Sequence, residues 1–434
     1  MSRNMSALRK LINYENTMDC VQCGYCLPVC PTYESMKTET HSPRGRINLV
    51  KQFANGNIDL ETLKDPIEKC LGCMACVTAC PTNVKYGSIL SEAKNVLAKG
   101  SERSILRRIT EKVTFDLLIP SRFLMRILGD LLWLFRKSGL IMALRSAGFF
   151  KVIPFHLGDF ESVLPPVGSP RARRNRVEVL YPASSSKARA GFFMGCVMES
   201  MLSGINTSTI DLLLDTGVTV VAPRDQTCCG ALHAHAGRQD KAKKLAMRNI
   251  EAFENGSVDF IVTNAGGCGA HLIKYEEYFG DDLEWAPRAK AFSSKIKDIS
   301  EVLDECDDLI FSKKLADRAT YQSSCHLLNV QHVDKSPLRM INSIPGVNYC
   351  ELEGYERCCG SAGIYNIENF EESMVILDAK IQQVIRTGAD TIVTTNPGCL
   401  LQMKLGIERH GLRGQVRAVH LVELLREANL CSGS

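Results

Sequence analysis

Residues 20 to 31 read CVQCGYCLPVCP, and residues 70 to 81 read CLGCMACVTACP. Each stretch spaces its cysteines by two, two and three residues, and each closes with a proline. Eight thiols at that spacing need something to hold. Three closely spaced ligands can wrap one centre only if the chain curls tightly around it. Gly24 and Gly72 keep that curl uncrowded, and Pro31 and Pro81 lock the exit direction and lack an N–H.

The chain has 434 residues, enough for about three domains and for large cores. Its net charge of +4, with 23% charged residues, carries no signal for nucleic acid. Nineteen cysteines are many for this length. The start MSRNMSALRKLINYENTMD lacks the apolar core of about 7 to 15 residues that a secretory signal needs, so a reducing cytoplasm is expected. There, clustered cysteines read as thiolate ligands more readily than as disulfides. The most apolar region, LLIPSRFLMRILGDLLWLFRKSGLIMAL, is broken by Arg122, Arg126, Asp130, Arg136 and Lys137, short of the roughly 18 uninterrupted residues of a bilayer span.

The repeated run C-x2-C-x2-C-x3-C-P has the spacing of bacterial ferredoxins, in which three thiolates of one run bind a cubane and the fourth reaches across to the other cluster. That spacing assigns Cys20, Cys23, Cys26 and Cys80 to one [4Fe-4S] cluster, and Cys70, Cys73, Cys76 and Cys30 to a second. Structural zinc is the alternative, although zinc sites are usually built from two separate C-x2-C pairs. Between the runs lies THSPRGRINLVKQ. It reads as a helix start with Ser42 as N-cap and Pro43 at the first helical position, or as a means of bringing Arg44 and Arg46 to the anionic clusters.

The C-terminal part repeats itself. Cys196, Cys228-Cys229-Gly230 and Cys268 are answered about 130 residues later by Cys325, Cys358-Cys359-Gly360 and Cys399. DFIVTNAGGC at 259 matches DTIVTTNPGC at 390, which is most simply a domain duplication. In each copy β-branched runs alternate with helical patterns, predicting βα units on a parallel sheet. Cys268 and Cys399 then fall just past strand ends, where open α/β sheets place ligands. Four regions follow: 1–100 with the double run, 101–185 as a basic helical connector, 186–315 as the first CCG domain and 316–434 as the second. The expected fold is α+β and multidomain, with a mainly helical two-cluster N-terminal domain ahead of two duplicated α/β domains.

The double run followed by two C…CCG…C repeats resembles the iron–sulfur subunits of glycolate oxidases, over nearly the whole chain. The layout is also similar to the iron–sulfur subunits of lactate-oxidising and anaerobic glycerol-3-phosphate dehydrogenase complexes, and the repeats to a heterodisulfide reductase subunit. The resemblance implies an electron-transfer subunit. A flavoprotein partner, carrying FAD, would oxidise glycolate to glyoxylate, and electrons would leave towards a quinone. No G-x-G-x-x-G follows a predicted strand, in keeping with flavin chemistry on another chain.

In the reductase the last repeat element is C-x2-C. Here His271 and Gln402 stand in that final place. Cys196, Cys228, Cys229 and Cys268, and Cys325, Cys358, Cys359 and Cys399, remain as two candidate sets for additional iron–sulfur clusters. His271 is a candidate added ligand of the first. The alternatives are buried small side chains and disulfide chemistry at these thiols. His233, His235 and His326 read as packing or hydrogen-bonding residues, and Cys306, Cys350 and Cys431 as incidental.

Residues 101–180 hold 14 Lys or Arg against 7 Asp or Glu. Leu124, Ile127, Leu128, Leu131, Leu134 and Phe135 recur at helical spacing beside Arg122, Arg126, Arg136 and Lys137. Such a helix packs on the protein's own core or a partner, or lies peripherally on the anionic inner face of the cytoplasmic membrane.

Overall fold

The computed structural model describes residues 2–101, 104–139, 156–174, 177–306 and 309–432. The end of the apolar connector stretch, GLIMAL, begins at its boundary and lies mostly outside them.

Residues 2–101 form helices and irregular loops. The Pro43–Asn55 helix starts as the sequence predicts: Ser42 Oγ accepts the Gly45 N–H at 3.0 Å, and Pro43 occupies the first turn, where no donor is lost. Gly56 ends it in the left-handed conformation, at φ +86°. The Tyr86–Gly100 helix buries Tyr86, Ile89, Leu90, Ala93, Val96 and Leu97, a three-and-four spacing that puts one stripe against Ile47, Val50, Phe53 and Leu63. This core carries the two cysteine runs on its rim.

The connector continues through the Ile105–Glu111 helix, a π-helical stretch at Lys112–Leu118, and the Arg122–Lys137 helix capped by Ser121. Shorter helices follow at Leu157–Val163 and Pro170–Arg174.

Strands β1 (Val179–Leu180), β2 (Ala188–Phe192), β3 (Val218–Val221), β4 (Phe260–Thr263) and β5 (Ile296–Asp298) form one sheet in the order β1-β3-β2-β4-β5. After β6 (Leu309–Phe311), strands β7 (Arg318–Tyr321), β8 (Asn348–Tyr349), β9 (Thr391–Thr394) and β10 (Arg417–His420) form the second, in the order β10-β9-β7-β8. Read from its inner edge, β3-β2-β4-β5 in the first copy is β8-β7-β9-β10 in the second, and every pairing within these sets is parallel. The duplication read from the cysteine spacing is thus a duplication of sheet topology. Valine, isoleucine and threonine fill β3 and β9 and follow Phe260 in β4, as strands buried on both faces require.

Two pairings cross the regions drawn from sequence. Antiparallel β1, at the end of the connector, joins the first sheet beside β3. The C-terminal strand β11 (Leu430–Ser432) pairs with β6, which precedes the second domain. A single hydrophobic core runs through both sheets, from Phe192 and Val262 to Ile392 and Leu421. Among the described residues no helix is long and apolar enough to cross a membrane.

Candidate functional site

The two N-terminal runs curl by the same device. Gln22 and Gly24 in the first, and Gly72 and Met74 in the second, all have positive φ, between +59° and +89°. These are the third and fifth positions of each run, and each run supplies glycine at only one of them. Left-handed residues at such positions bend a loop tightly and are common where backbone N–H groups cradle anions and iron–sulfur centres.

The structure gathers the eight thiols as two groups. One pocket is lined by Cys20, Cys23, Cys26 and Cys80 under Arg44 and Pro43, and Cys76 reaches it as well. A second is lined by Cys30, Cys70, Cys73 and Cys76 under Arg46 and Tyr86. The fourth cysteine of each run thus faces the other run's pocket. The thiols of each pocket ring a volume, which suits a multinuclear centre.

Arg44 and Arg46 do different work. Arg44 pairs with Glu39 at 2.7 Å and donates to the Gln22 carbonyl at 3.0 Å, holding the first loop. Arg46 is 1% exposed. It donates to the Pro66 carbonyl at 2.6 Å, and its guanidinium lies 4.0 Å from Cys30 Sγ. Burial works against its charge, but neighbouring Cys70, Tyr86 and Cys30 outweigh that and raise its pKa. Burial likewise pushes the Cys70 thiol up, while Arg46 and Lys94 hold it below its ordinary value. A buried cation beside a thiol set stabilises the thiolate form that binds iron. Tyr86 Oη at 3.3 Å from Cys70 and Thr32 Oγ1 at 3.3 Å from Cys30 add hydroxyl contacts to sulfur.

Each repeat brings its four cysteines together at the end of its sheet. Cys196 opens a helix four residues after β2, and Cys268 lies five residues after β4. Cys325 and Cys399 stand at the same distances beyond β7 and β9. These neighbouring strands flank the point where the connections reverse direction, the crevice in which open α/β sheets bind ligands. Cys196 Sγ lies 3.4 Å from Cys228 Sγ. Contact continues from Cys228 to Cys229 and on to Cys268, and likewise from Cys325 through Cys358 and Cys359 to Cys399. These thiol contacts and burial raise Cys196, Cys229, Cys325, Cys358 and Cys359 well above the ordinary thiol value.

Buried polar side chains hold the CCG loops. Asn249 accepts the Thr227 N–H at 2.7 Å and donates to the Cys228 carbonyl, while Tyr275 Oη donates to the Cys229 carbonyl at 2.7 Å. In the second copy Ser373 Oγ donates to the Gly360 carbonyl at 3.0 Å. Gly230 and Gly360 have φ of +91° and +92°, and a Cβ on either would press on His271 or Gln402 respectively. So His271 and Gln402 stand behind the CCG glycines. Neither lines the cavity described next: Tyr278 Oη lies 3.2 Å from His271 Nε2, and Gln402 bonds Ser373 and Asn366. The candidate role of His271 as an added ligand therefore finds no support in its orientation.

All eight repeat cysteines face one cavity of about 620 Å³ between the domains. Leu71, from the second N-terminal run, reaches the same space. Leu71 packs with Cys358, Tyr365 and Ile376, and Cys73 and Cys325 pack against them. Two side chains pin this contact. His326 Nε2 lies 3.0 Å from the Gly72 carbonyl, and Asn329 donates to the Cys73 carbonyl at 3.1 Å while accepting from Thr78 Oγ1 at 2.9 Å. The second thiol set of the N-terminal domain and that of the second repeat are therefore neighbours, an adjacency no spacing in the sequence announces. Of the other histidines, His233 bonds the Phe115 carbonyl at 2.7 Å, and His235 stacks near His326 on the cavity wall. Cys306 and Cys350 lie apart from both sets, near the Val302 and Asn348 carbonyls; the Cys431 side chain is outside the described residues.

A thiol-ringed helical domain docked on duplicated sheets that present further thiols defines an iron–sulfur protein with two cysteine-rich domains. Family models agree, matching a 4Fe-4S dicluster domain at residues 16–84, a cysteine-rich domain at 190–273 and 319–404, and the linker region of glycolate oxidase iron–sulfur subunits at 106–164. The chain is 45% identical to the probable glycolate oxidase iron–sulfur subunit of Bacillus subtilis, over 99% of this chain and 97% of that protein. It is 27% identical to the glycolate oxidase iron–sulfur subunit of Escherichia coli, over 94% of this chain and 93% of that one. Lactate utilization protein A of Exiguobacterium is 27% identical over 54% of this chain and 96% of that protein. The chain belongs to the family of glycolate oxidase iron–sulfur subunits.

Proposed function

We propose that this chain is the electron-transfer subunit of a glycolate-oxidising complex, with two [4Fe-4S] clusters held by Cys20, Cys23, Cys26 and Cys80 and by Cys70, Cys73, Cys76 and Cys30. Each repeat quartet holds a further iron–sulfur centre. When bound, these centres supply one-electron steps between a flavoprotein, which carries FAD and converts glycolate to glyoxylate, and a quinone acceptor.

The observation that carries this reading is the packing of Leu71 and Cys73 against Cys325 and Cys358. It makes one continuous run of thiol sets from the N-terminal domain to the cavity. The chain's residues do the rest. Arg46 and Lys94 offset negative charge at the second set. His326 and Asn329 fix the separation between that set and the second repeat. At the far end Cys23 is exposed, with Val21 and Tyr25 beside it, 64% and 68% exposed. That surface is where the flavoprotein docks in this reading.

The connector supports peripheral membrane attachment. Ile105, Ile109, Val113 and Leu117, and then Phe123, Ile127, Leu131 and Leu134, form two exposed apolar stripes. Their acidic neighbours turn inward: Glu111 and Asp116 pair with Arg238, and Asp130 with Arg173. Arg108, Lys112 and Lys137 stay on the exposed side, a combination that suits an anionic bilayer.

The test is the complex with its flavoprotein. Replacing Cys23 or Cys73 by Ser should remove one four-iron EPR signal and stop acceptor reduction while glycolate still reduces the flavin. Quinone reduction surviving both changes would contradict the relay.

A further inference from the structure

We propose that the cavity between the two cysteine-rich domains is the binding site of a quinone, seated between the two thiol quartets and against the inner face of the Arg122–Lys137 helix. This rests on the electron-transfer reading above and says where its acceptor binds.

The cavity encloses about 620 Å³, which the ligand shares with the centres assigned above to the two thiol quartets; small-molecule sites start at about 300 Å³. Thiols line it from both repeats. Across from them the wall is hydrocarbon: Leu128, Leu132, Phe135, Phe160, Leu164 and Val167. Among the described residues the charged side chains that border it are Arg136 and Glu161, which form an ion pair with each other. Arg136 donates to the Pro165 carbonyl at 2.7 Å and to the Glu161 carbonyl at 3.2 Å, and its guanidinium lies 3.6 Å from the Glu161 carboxylate. A ligand bearing carboxylates or phosphates would find that cation already engaged. An uncharged ring with an apolar tail matches the wall.

The Arg122–Lys137 helix is apolar on two sides. Leu128, Leu132 and Phe135 face the cavity, while Phe123, Ile127, Leu131 and Leu134 face outward at 37 to 69% exposure. A helix of a soluble surface normally shows one apolar stripe. Two stripes make this helix a hydrocarbon partition between the thiol-lined space and the outside, as collection of the ligand from a bilayer requires. The bound quinone takes two electrons, released when the hydroxy acid is oxidised on the partner, and two protons from solvent, and leaves as the quinol. His235 borders both this cavity and a second, polar one lined by Glu68, Lys94 and Glu368, which gives those protons an approach that does not cross the hydrocarbon wall.

The test uses the full chain, purified anaerobically with its clusters, and an azido-substituted quinone with a ten-carbon tail. After illumination, labelled peptides are mapped by mass spectrometry. The expected label falls on the peptides holding Leu128 to Phe135 or Phe160 to Val167, is displaced by the same quinone without the azide, and drops at least ten-fold in Leu132→Trp. Leu128→Phe fills less space and serves if the larger change disturbs folding; unchanged cluster EPR shows that the fold is kept. Label elsewhere, or label undiminished in filled variants that keep their EPR signals, would overturn the proposal. Glycolate-driven cluster reduction in the complex is measured separately. If it proceeds while the label avoids the cavity, the pocket is wrong and the relay stands; if it fails while the label marks the cavity, the relay is wrong and the pocket stands.

Discussion

His326 Nε2 lies 3.0 Å from the carbonyl oxygen of Gly72, so the residue after Cys325 of the second repeat grips the loop between Cys70 and Cys73. With Asn329 on the Cys73 carbonyl, it ties two thiol sets that are about 250 residues apart in sequence. Each such hydrogen bond is worth about 1 kcal/mol, little beside the packing of the domains, so its importance is positional. Changing His326 and Asn329 together to Ala should leave the iron content within about a tenth of the parent. It should slow reduction of the repeat-domain centres after fast reduction of the N-terminal ones, as followed by freeze-quenched EPR. Unchanged transfer would show that the contact is only structural.

Gly45 sits where a Cβ would collide with the carbonyl oxygen of Glu39. Gly45→Ala must therefore displace the 39–42 turn, release the Ser42 cap and move both Arg44 and Arg46. A lost cap alone costs about 1 kcal/mol, and overpacking adds about 1 to 3 kcal/mol. The expected outcome is a melting temperature lowered by several degrees, with loss of N-terminal cluster signals. Gly411→Ala, at φ +66° but with no heavy atom within 4 Å, should cost about 1 kcal/mol and leave the clusters alone.

The ferredoxin-like runs and the duplicated repeats were legible because each recurs at a fixed spacing, and Cys268 and Cys399, expected just past strand ends, follow them by five residues each. The Ser42 cap was legible for the same local reason. The neighbourhood of Cys73 and Cys325 was not, since it arises from Leu71 packing and a few polar contacts between segments about 250 residues apart, which leave no periodic trace. Nor was the second apolar side of the Arg122–Lys137 helix. A helical stripe in sequence shows that a face is apolar and not what it faces, and Leu128 and Leu131, neighbours in one pattern, end on the cavity and on the exterior. Nor does the sequence show that the His271 ring lies against Tyr278, with Oη 3.2 Å from Nε2.

Asp298 caps the Ile299–Asp304 helix, accepting from Ser300 N at 2.9 Å and Ser300 Oγ at 2.6 Å, and is fully buried. Burial raises its pKa to about 7, from 3.8. Below pH 3.8 both folded and unfolded states hold the proton. Between there and pH 7 the unfolded carboxyl releases it while the folded one keeps it, so stability falls as pH rises, by at most about 4 kcal/mol. Asp298→Asn keeps the capping oxygen and removes the titration. It should melt higher than the parent at pH 8 and equally at pH 4, a difference thermal unfolding at the two pH values resolves; equal melting at both would mean the carboxyl ionises without cost.

The outward stripes of the connector predict binding to anionic vesicles. Phosphatidylglycerol vesicles should sediment the full chain, neutral phosphatidylcholine vesicles should do so weakly, and added salt should weaken the first. Phe123→Glu with Leu131→Glu should reduce sedimentation about ten-fold or more without altering cluster signals. If the double variant instead sediments normally but no longer binds the flavoprotein, the face belongs to that partner.

The central claim is that all four thiol quartets hold iron. Iron and acid-labile sulfide per chain, measured on anaerobically purified protein with low-temperature EPR before and after reduction, decides it. Distinctly more than the about eight irons of two four-iron clusters is expected, with a signal that disappears in a Cys228→Ser/Cys358→Ser variant while the N-terminal signals persist. About eight irons in the parent, and spectra unchanged by that double substitution, would contradict it.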